Sequence, residues 1–285
     1  MGLPMVTNLL KKGDKVKVFD LNEAAVKQAV SLGATAVTKV GDVCNGSEAV
    51  VTMLPASKHV TEVYEKSLCP SAKKGTMFMD CSTIEPLVSQ GLIAKAYSHG
   101  FRMVDAPVSG GVNGAAAGTL TFMVGADTQE DFEASKGYLK NMGANFFHCG
   151  KAGTGEVAKI ANNLVLAISM TAVSEAFNLG TKLGMDPKVL SSILNVSTGR
   201  CWSSEVYSPY PGILPNAPSS REYSGGFGAA LMAKDLGIAV SSGTDAHVAL
   251  PLSKHVLDLY NGIIQSGNGN KDFSVIIQHL KKLNP

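Results

Sequence analysis

The sequence predicts an α/β protein, with a doubly wound, Rossmann-like and mostly parallel sheet followed by an all-α domain, on three observations. Short β-branched or apolar runs alternate with helical stretches up to Gly150, which is the pattern of βαβ units. Beyond Gly150 the strand-like runs stop and apolar residues recur at helical spacing. A hydrophobic content of 45% over 285 residues fills a sizeable core, and 17% charged residues with 30 glycines suits a compact, loop-rich α/β chain.

In chain order, a strand is expected over 15–20, where Lys15-Val16-Lys17-Val18-Phe19 alternates, and a helix over 23–32 with Asn22 placed to cap it. A short strand near 35–37, a helix over 39–45, a strand over 49–54 and a helix over 58–66 follow. Then come a strand over 76–80, a helix over 85–98, strands over 101–106 and 119–124, a helix over 130–141 and a strand over 145–148. One long helix is read over 155–183 from Val157, Ile160, Ala161, Leu164, Val165, Ile168, Ala172 and Ala176, with Gly184 ending it. Further helices are expected over 187–194, 229–242, 250–266 and 274–283. The expected domains are 1–150, for dinucleotide binding, and 151–285, for substrate and oligomerisation. Between its helices, 197–228 reads as a loop holding Pro209, Pro211, Pro215 and Pro218, and loops of that length are usually functional.

Composition excludes several classes. The net charge is +2 and no basic run exceeds two residues, so neither nucleic acid nor a membrane surface is an expected partner. The five cysteines are scattered, which argues for a reducing compartment and against a disulfide framework or zinc ribbon. Six dispersed histidines show no metal-binding spacing, so no metal is expected. The longest mostly apolar stretch, 164–173, is half a membrane span and contains Ser169 and Thr171, so a transmembrane helix is not expected. The chain is amphipathic almost from Met1, so a targeting peptide is either lacking or precedes it.

Three segments carry candidate chemistry. A dinucleotide fingerprint needs a strand, G-x-G-x-x-G and a helix, because the glycines let backbone approach the pyrophosphate at the helix N-terminus. Only Gly2 is in place for one of those glycines, while Asp20 ends a strand eighteen residues later, where an acid binds both adenosine ribose hydroxyls. With Leu21 and Asn22 following rather than an arginine, that acid favours NAD over NADP; the plain alternative is a strand ending in a turn. The run from Asp105 to Gly118 reads as a glycine-rich turn leaving a strand, in which Ser109, Gly110 and Gly111 form a nest for a carboxylate or merely a flexible loop. Lys159 and Asn163 lie one helical turn apart at the start of the long helix. A lysine partly desolvated at a cleft has a lowered pKa and exchanges protons with a substrate hydroxyl, whereas an ordinary helical lysine is solvated. Apolar Ile160, Leu164 and Val165 around the pair favour the first reading.

Together with Ser197-Thr198-Gly199-Arg200-Cys201-Trp202 and the run from Gly225 to Leu236, these segments resemble the β-hydroxyacid dehydrogenase family over essentially the whole chain. The Arg200-Cys201-Trp202 loop and the run from Phe227 to Asp235 resemble its members that act on 3-hydroxyisobutyrate. The resemblance implies NAD-dependent oxidation of 3-hydroxyisobutyrate to methylmalonate semialdehyde, a step of valine catabolism in mitochondria, by a homo-oligomer. It implies Lys159 as catalytic acid/base, Asn163 as its companion on substrate, and Ser109, Gly110 and Gly111 on the substrate carboxylate. It also implies Lys234 near both substrate and cofactor, Leu54, Pro55 and Thr83 along the nicotinamide, and Asp20 on the ribose, with Gly2 at the pyrophosphate. Trp202 is expected to anchor the long loop by packing.

One departure stands out: family members open with a strand and two further glycines ahead of the position of Gly2. In a doubly wound sheet that strand lies between those ending at Asp20 and Leu54, and its loss forgoes about eight to ten hydrogen bonds at roughly 1 kcal/mol net each. The expectation is an incomplete first domain that is unstable by itself and binds NAD poorly. The alternative functions are a silent or impaired relative, a dehydrogenase or reductase for another short 3-hydroxyacid or semialdehyde, and phosphogluconate-type chemistry.

Overall fold

The computed structural model describes residues 1–283, so the last two positions of the expected second domain lie outside the described residues. The chain divides into two units, Met1–Lys159 and Ile160–Pro285.

In the first unit, helix α1 (Gly2–Lys11) precedes strand β1 (Lys17–Val18), α2 (Glu23–Ser31) and β2 (Thr35–Ala36). The side chain of Asn22 caps α2 by accepting from the amides of Ala24 and Ala25. A 3-10 turn (Val40–Cys44), β3 (Ala49–Thr52) and α3 (Ser57–Val63) follow. A π-helical turn (Tyr64–Leu68) continues α3 and runs into the short α4 (Cys69–Ser71). Next come β4 (Met77–Asp80), α5 (Pro86–Ser98), β5 (Arg102–Asp105), β6 (Val108–Ser109) and α6 (Gly111–Ala117). The unit continues through β7 (Leu120–Gly125), α7 (Gln129–Leu139) and β8 (Gly143–Gly150).

The strands make two sheets. β1 and β2 pair in parallel, with Lys17 opposite Thr35. The larger sheet has the order β3-β4-β5-β7-β6, with β8 on β7. Its β3/β4, β4/β5 and β7/β8 ladders are parallel, and those of β5 and β6 with β7 are antiparallel. Among the described residues no ladder joins β1 to β3. Both faces of the larger sheet are buried, as alternation along its strands requires. Met77, Met79, Val104 and Phe122 share one core with Met5 of α1 and Phe132 of α7. Phe78, Met103 and Val50 point into the other, with Val60, Tyr64, Leu92 and Ile93.

Helix α8 (Thr154–Lys182) runs through the division between the units. In the second unit it is followed by α9 (Pro187–Val196), α10 (Trp202–Glu205), a 3-10 turn (Pro218–Arg221), α11 (Ala229–Asp245), α12 (Pro251–Gln265), a 3-10 turn (Phe273–Val275) and α13 (Ile276–Leu283). Their core is built at helical spacing, from Ala167, Met170, Val173 and Phe177 of α8, Met232 and Leu236 of α11, and Val256, Tyr260 and Ile263 of α12.

Four expectations need correction. The first residues, given no element by periodicity, form α1, because Met5 is drawn into the sheet core and Asn8 donates to the Ala115 carbonyl at 2.5 Å. The glycine-rich segment after Asp105 is not an open turn, since Ala115, Ala116 and Ala117 favour helix and Gly118 closes it in the left-handed conformation. The 197–228 stretch is knitted around a buried carboxylate, Asp272, which accepts from the Tyr207 hydroxyl at 2.9 Å and the Phe227 amide at 2.8 Å. Trp202 stacks on Tyr207 within that stretch, at 4.6 Å between ring centroids.

The fourth concerns α8, which at 29 residues is long and apolar enough to cross a bilayer by length and composition. Its hydroxyls do not interrupt it, because Thr171 and Ser174 each donate to the carbonyl four residues back at 2.8 Å. What places α8 in a protein core is packing, namely the burial of Ala167, Met170 and Phe177.

Candidate active site

The carboxyl ends of parallel strands are where open α/β sheets bind ligands, and several of the expected residues sit there. Asp20 follows β1, and one of its carboxylate oxygens accepts from the Asn22 amide at 2.8 Å. It therefore both shapes the turn into α2 and presents an exposed acid at the strand end. Gly2 opens α1, where a side chain would meet nothing within 4 Å. Open space beside helix-terminal N–H groups and an exposed acid at a strand end are the donor and acceptor set a dinucleotide needs, so the residues present fit the cofactor.

A buried network ties the ends of β3 and β4 together. Asp80 accepts from the Thr52 hydroxyl at 2.7 Å and the Ser82 hydroxyl at 2.6 Å. The Ser82 oxygen in turn accepts from the Leu54 amide at 2.8 Å. Leu54-Pro55 and Thr83 are thereby held on adjacent strand ends. Ser109 ends β6, and Gly110 and Gly111 have φ of 131° and 61° at the entry to α6. Both glycines are exposed, and the conformation is one that L side chains rarely adopt.

The start of α8 is fixed by a residue to which sequence reasoning gave no role. Asp105, fully buried at the end of β5, accepts from the Gly153 amide at 2.7 Å and the Glu156 amide at 3.0 Å. Burial pushes its carboxyl up to about 6, and the Gly153 and Glu156 amides pull it part of the way back. Glycine is required on both sides of this contact. A Cβ on Gly155 would overlap the Met123 carbonyl and lie 2.7 Å from an Asp105 oxygen, and one on Gly125 would overlap Asp105 as well. Glu156, also buried, accepts from the Ile84 amide at 3.2 Å. Two backbone anchors thus set the helix whose next turn carries Lys159.

Lys159 is 9% exposed and Asn163 2% exposed, one turn apart on α8. Burial of an amine beside a primary amide departs from the usual solvated helical lysine. In the second unit, Asn163 donates through Nδ2 to an oxygen of Asp235 at 2.6 Å. Lys234 contacts the other oxygen of the same carboxylate at 3.0 Å. Asp235 is buried, and it too went unassigned in the sequence, although its place beside Lys234 on an apolar helix is a signal that could have found it. Among the described residues no three His, Cys, Asp or Glu side chains are grouped to hold a metal ion.

Comparison with known proteins identifies the family. A family model for the NAD binding domain of 6-phosphogluconate dehydrogenase matches residues 1–150. A second, for the NAD-binding region of NADP-dependent 3-hydroxyisobutyrate dehydrogenase, matches residues 153–280. The chain is 48% identical to a protein of Dictyostelium discoideum named "Probable 3-hydroxyisobutyrate dehydrogenase, mitochondrial", over 99% of this chain and 88% of that one. It is 46% identical to an NAD-dependent L-serine dehydrogenase of Pseudomonas aeruginosa, over 97% of this chain and 93% of that one. The solved structure of Mycobacterium tuberculosis 3-hydroxyisobutyrate dehydrogenase with L-serine superposes with a TM-score of 0.93 at 37% identity, covering 99% and 96% of the two chains.

Proposed function

The chain belongs to the 3-hydroxyisobutyrate dehydrogenase family of NAD-dependent oxidoreductases, and from that premise we propose that it oxidises 3-hydroxyisobutyrate to methylmalonate semialdehyde. The observation that carries the reading is the buried Lys159–Asn163 pair on α8. NAD, when bound, supplies the hydride acceptor. Lys159 takes the proton from the substrate hydroxyl at its Nζ as the carbonyl forms, and returns it in the reverse direction. Asn163 holds the hydroxyl oxygen, and the Ser109 hydroxyl with the backbone N–H groups of Gly110 and Gly111 holds the substrate carboxylate. Gly2 lies at the pyrophosphate, Asp20 on the adenosine ribose, and Leu54, Pro55 and Thr83 along the nicotinamide, while Lys234 adds a cation for substrate and cofactor. Asp20 also repels a 2′-phosphate, which favours NAD over NADP.

A second substrate reading rests on the similarity to an L-serine dehydrogenase and to a structure determined with L-serine. L-serine carries the same 3-hydroxy-carboxylate skeleton with an ammonium where 3-hydroxyisobutyrate has a methyl group. Lys159, Asn163 and the carboxylate nest serve both, so only the surroundings of the second carbon discriminate. Initial rates of NADH formation from each, at matched concentrations, test the assignment. The account expects 3-hydroxyisobutyrate to have the higher kcat/KM, and a preference for L-serine overturns it.

A place in valine catabolism follows only from the substrate proposed, and a mitochondrial location is supported by relatives named mitochondrial, although a bacterial relative is of comparable identity. Assembly into a homo-oligomer is supported by apolar side chains left exposed on α8, on α9 and in the turn between them, including Leu179, Leu183, Val189 and Val196. The division of labour, with cofactor in the first 150 residues and substrate and oligomer contacts in the helical remainder, is part of the same proposal.

A further inference from the structure

We propose that Asp235 is a positioning residue that fixes the orientation of both Asn163 and Lys234 for the hydroxy-acid oxidation; the inference rests on the substrate-site reading above. Asp235 is 4% exposed on α11, and its two oxygens are divided between those two side chains. One accepts from Asn163 Nδ2 at 2.6 Å, and the other meets Lys234 Nζ at 3.0 Å.

The consequence follows from what each group can offer. A carboxylate accepts only, so the atom that Asp235 meets on Asn163 is the amide nitrogen, and the two ends of that amide are told apart. Asn163 Oδ1 is held from its other side, where Asn162 Nδ2 donates to it at 3.0 Å. The amide is therefore pinned at both ends, and Lys234 Nζ is fixed as a cation beside it. A hydrogen bond with one ionised partner in a buried place is about twice as strong as a neutral one, which suits a group whose task is to hold others still. The two contacts also join α8 to α11 within the helical unit, alongside Ile160, Leu164, Ile238 and Ala239.

The test is a double-mutant cycle on the full chain with NAD and 3-hydroxyisobutyrate, reading kcat and the KM of each ligand. Asp235→Asn is close to isosteric, and its thermal midpoint is measured first to establish that it folds. The expected result is a loss of about 10- to 100-fold in kcat/KM for the hydroxy acid. Asp235→Asn made in an Asn163→Ala background then adds a smaller loss on that substrate constant than it causes in the wild-type background, because one of the two residues being oriented is gone. A merely structural Asp235 instead gives multiplicative losses in the two backgrounds and a lowered thermal midpoint, and that result overturns the inference. If Asn163→Ala and Lys234→Ala leave turnover unchanged, the underlying site reading fails. If they impair turnover and Asp235→Asn does not, the site reading stands and the positioning role falls. Asp235→Glu provides a second variant that keeps the charge, and it is expected to recover part of the activity lost in Asp235→Asn.

Discussion

Buried carboxylates decide the local geometry at the residue scale. Asp105 is pushed up to about 6 from an ordinary 3.8 by burial, against the pull of the Gly153 and Glu156 amides. Its folded form thus holds a proton more tightly than its unfolded form. Stability is therefore greatest below pH 4 with respect to this group and falls by about 3 kcal/mol in all as pH rises through 6. Asp105→Asn should flatten that slope in urea melts taken across the range, and an unchanged slope would contradict the assignment. The same contact explains Gly155, whose replacement by alanine drives a Cβ into the Met123 carbonyl and Asp105. Neither neighbour is the end of a flexible chain, so Gly155→Ala should cost about 2 kcal/mol or more, read as a lowered urea midpoint. The burial of Lys159 and Asn163 one turn apart on α8 was legible in the sequence because their spacing and apolar flanks are local. Asp105 was not, because the Gly153 amide that reveals it lies 48 residues away in the chain, and Asp235 showed only its neighbour Lys234, its partner Asn163 being 72 residues away.

Most helices and strands fall where hydrophobic periodicity places them, and the differences have physical causes at the element scale. α1 and α6 escaped the reading because their apolar faces are short and each is completed by the other, through Asn8 on the Ala115 carbonyl. The expected helix over 58–66 becomes α3 and then a π-turn, which seats Tyr64 against Thr52 at 2.9 Å and against the Phe78 ring. On the ladders described, β1 pairs only with β2 and β3 only with β4.

Taken whole, the chain has two units, one supplying strand ends and the start of α8, the other a helical core. Leu183 is 78% exposed and Val196 87% exposed, far more than a helical core needs to leave in water. A second copy covering them should give an oligomer in light scattering after gel filtration, and Leu179→Glu with Leu183→Glu should shift it toward the monomer. An unaltered mass would move the subunit contact elsewhere. The family and the two-part architecture were legible in motifs that lie within single segments, whereas the choice between a methyl and an ammonium on the substrate was not. That choice depends on side chains brought from several elements to one carbon. The central claim is that Lys159 moves the substrate proton and does not merely help the protein fold or hold NAD. It is tested most directly by measuring turnover of 3-hydroxyisobutyrate and NAD affinity together in Lys159→Ala. The account predicts a fall in kcat of about 10²- to 10⁴-fold with NAD affinity and thermal midpoint preserved. Undiminished turnover in the folded variant would contradict it.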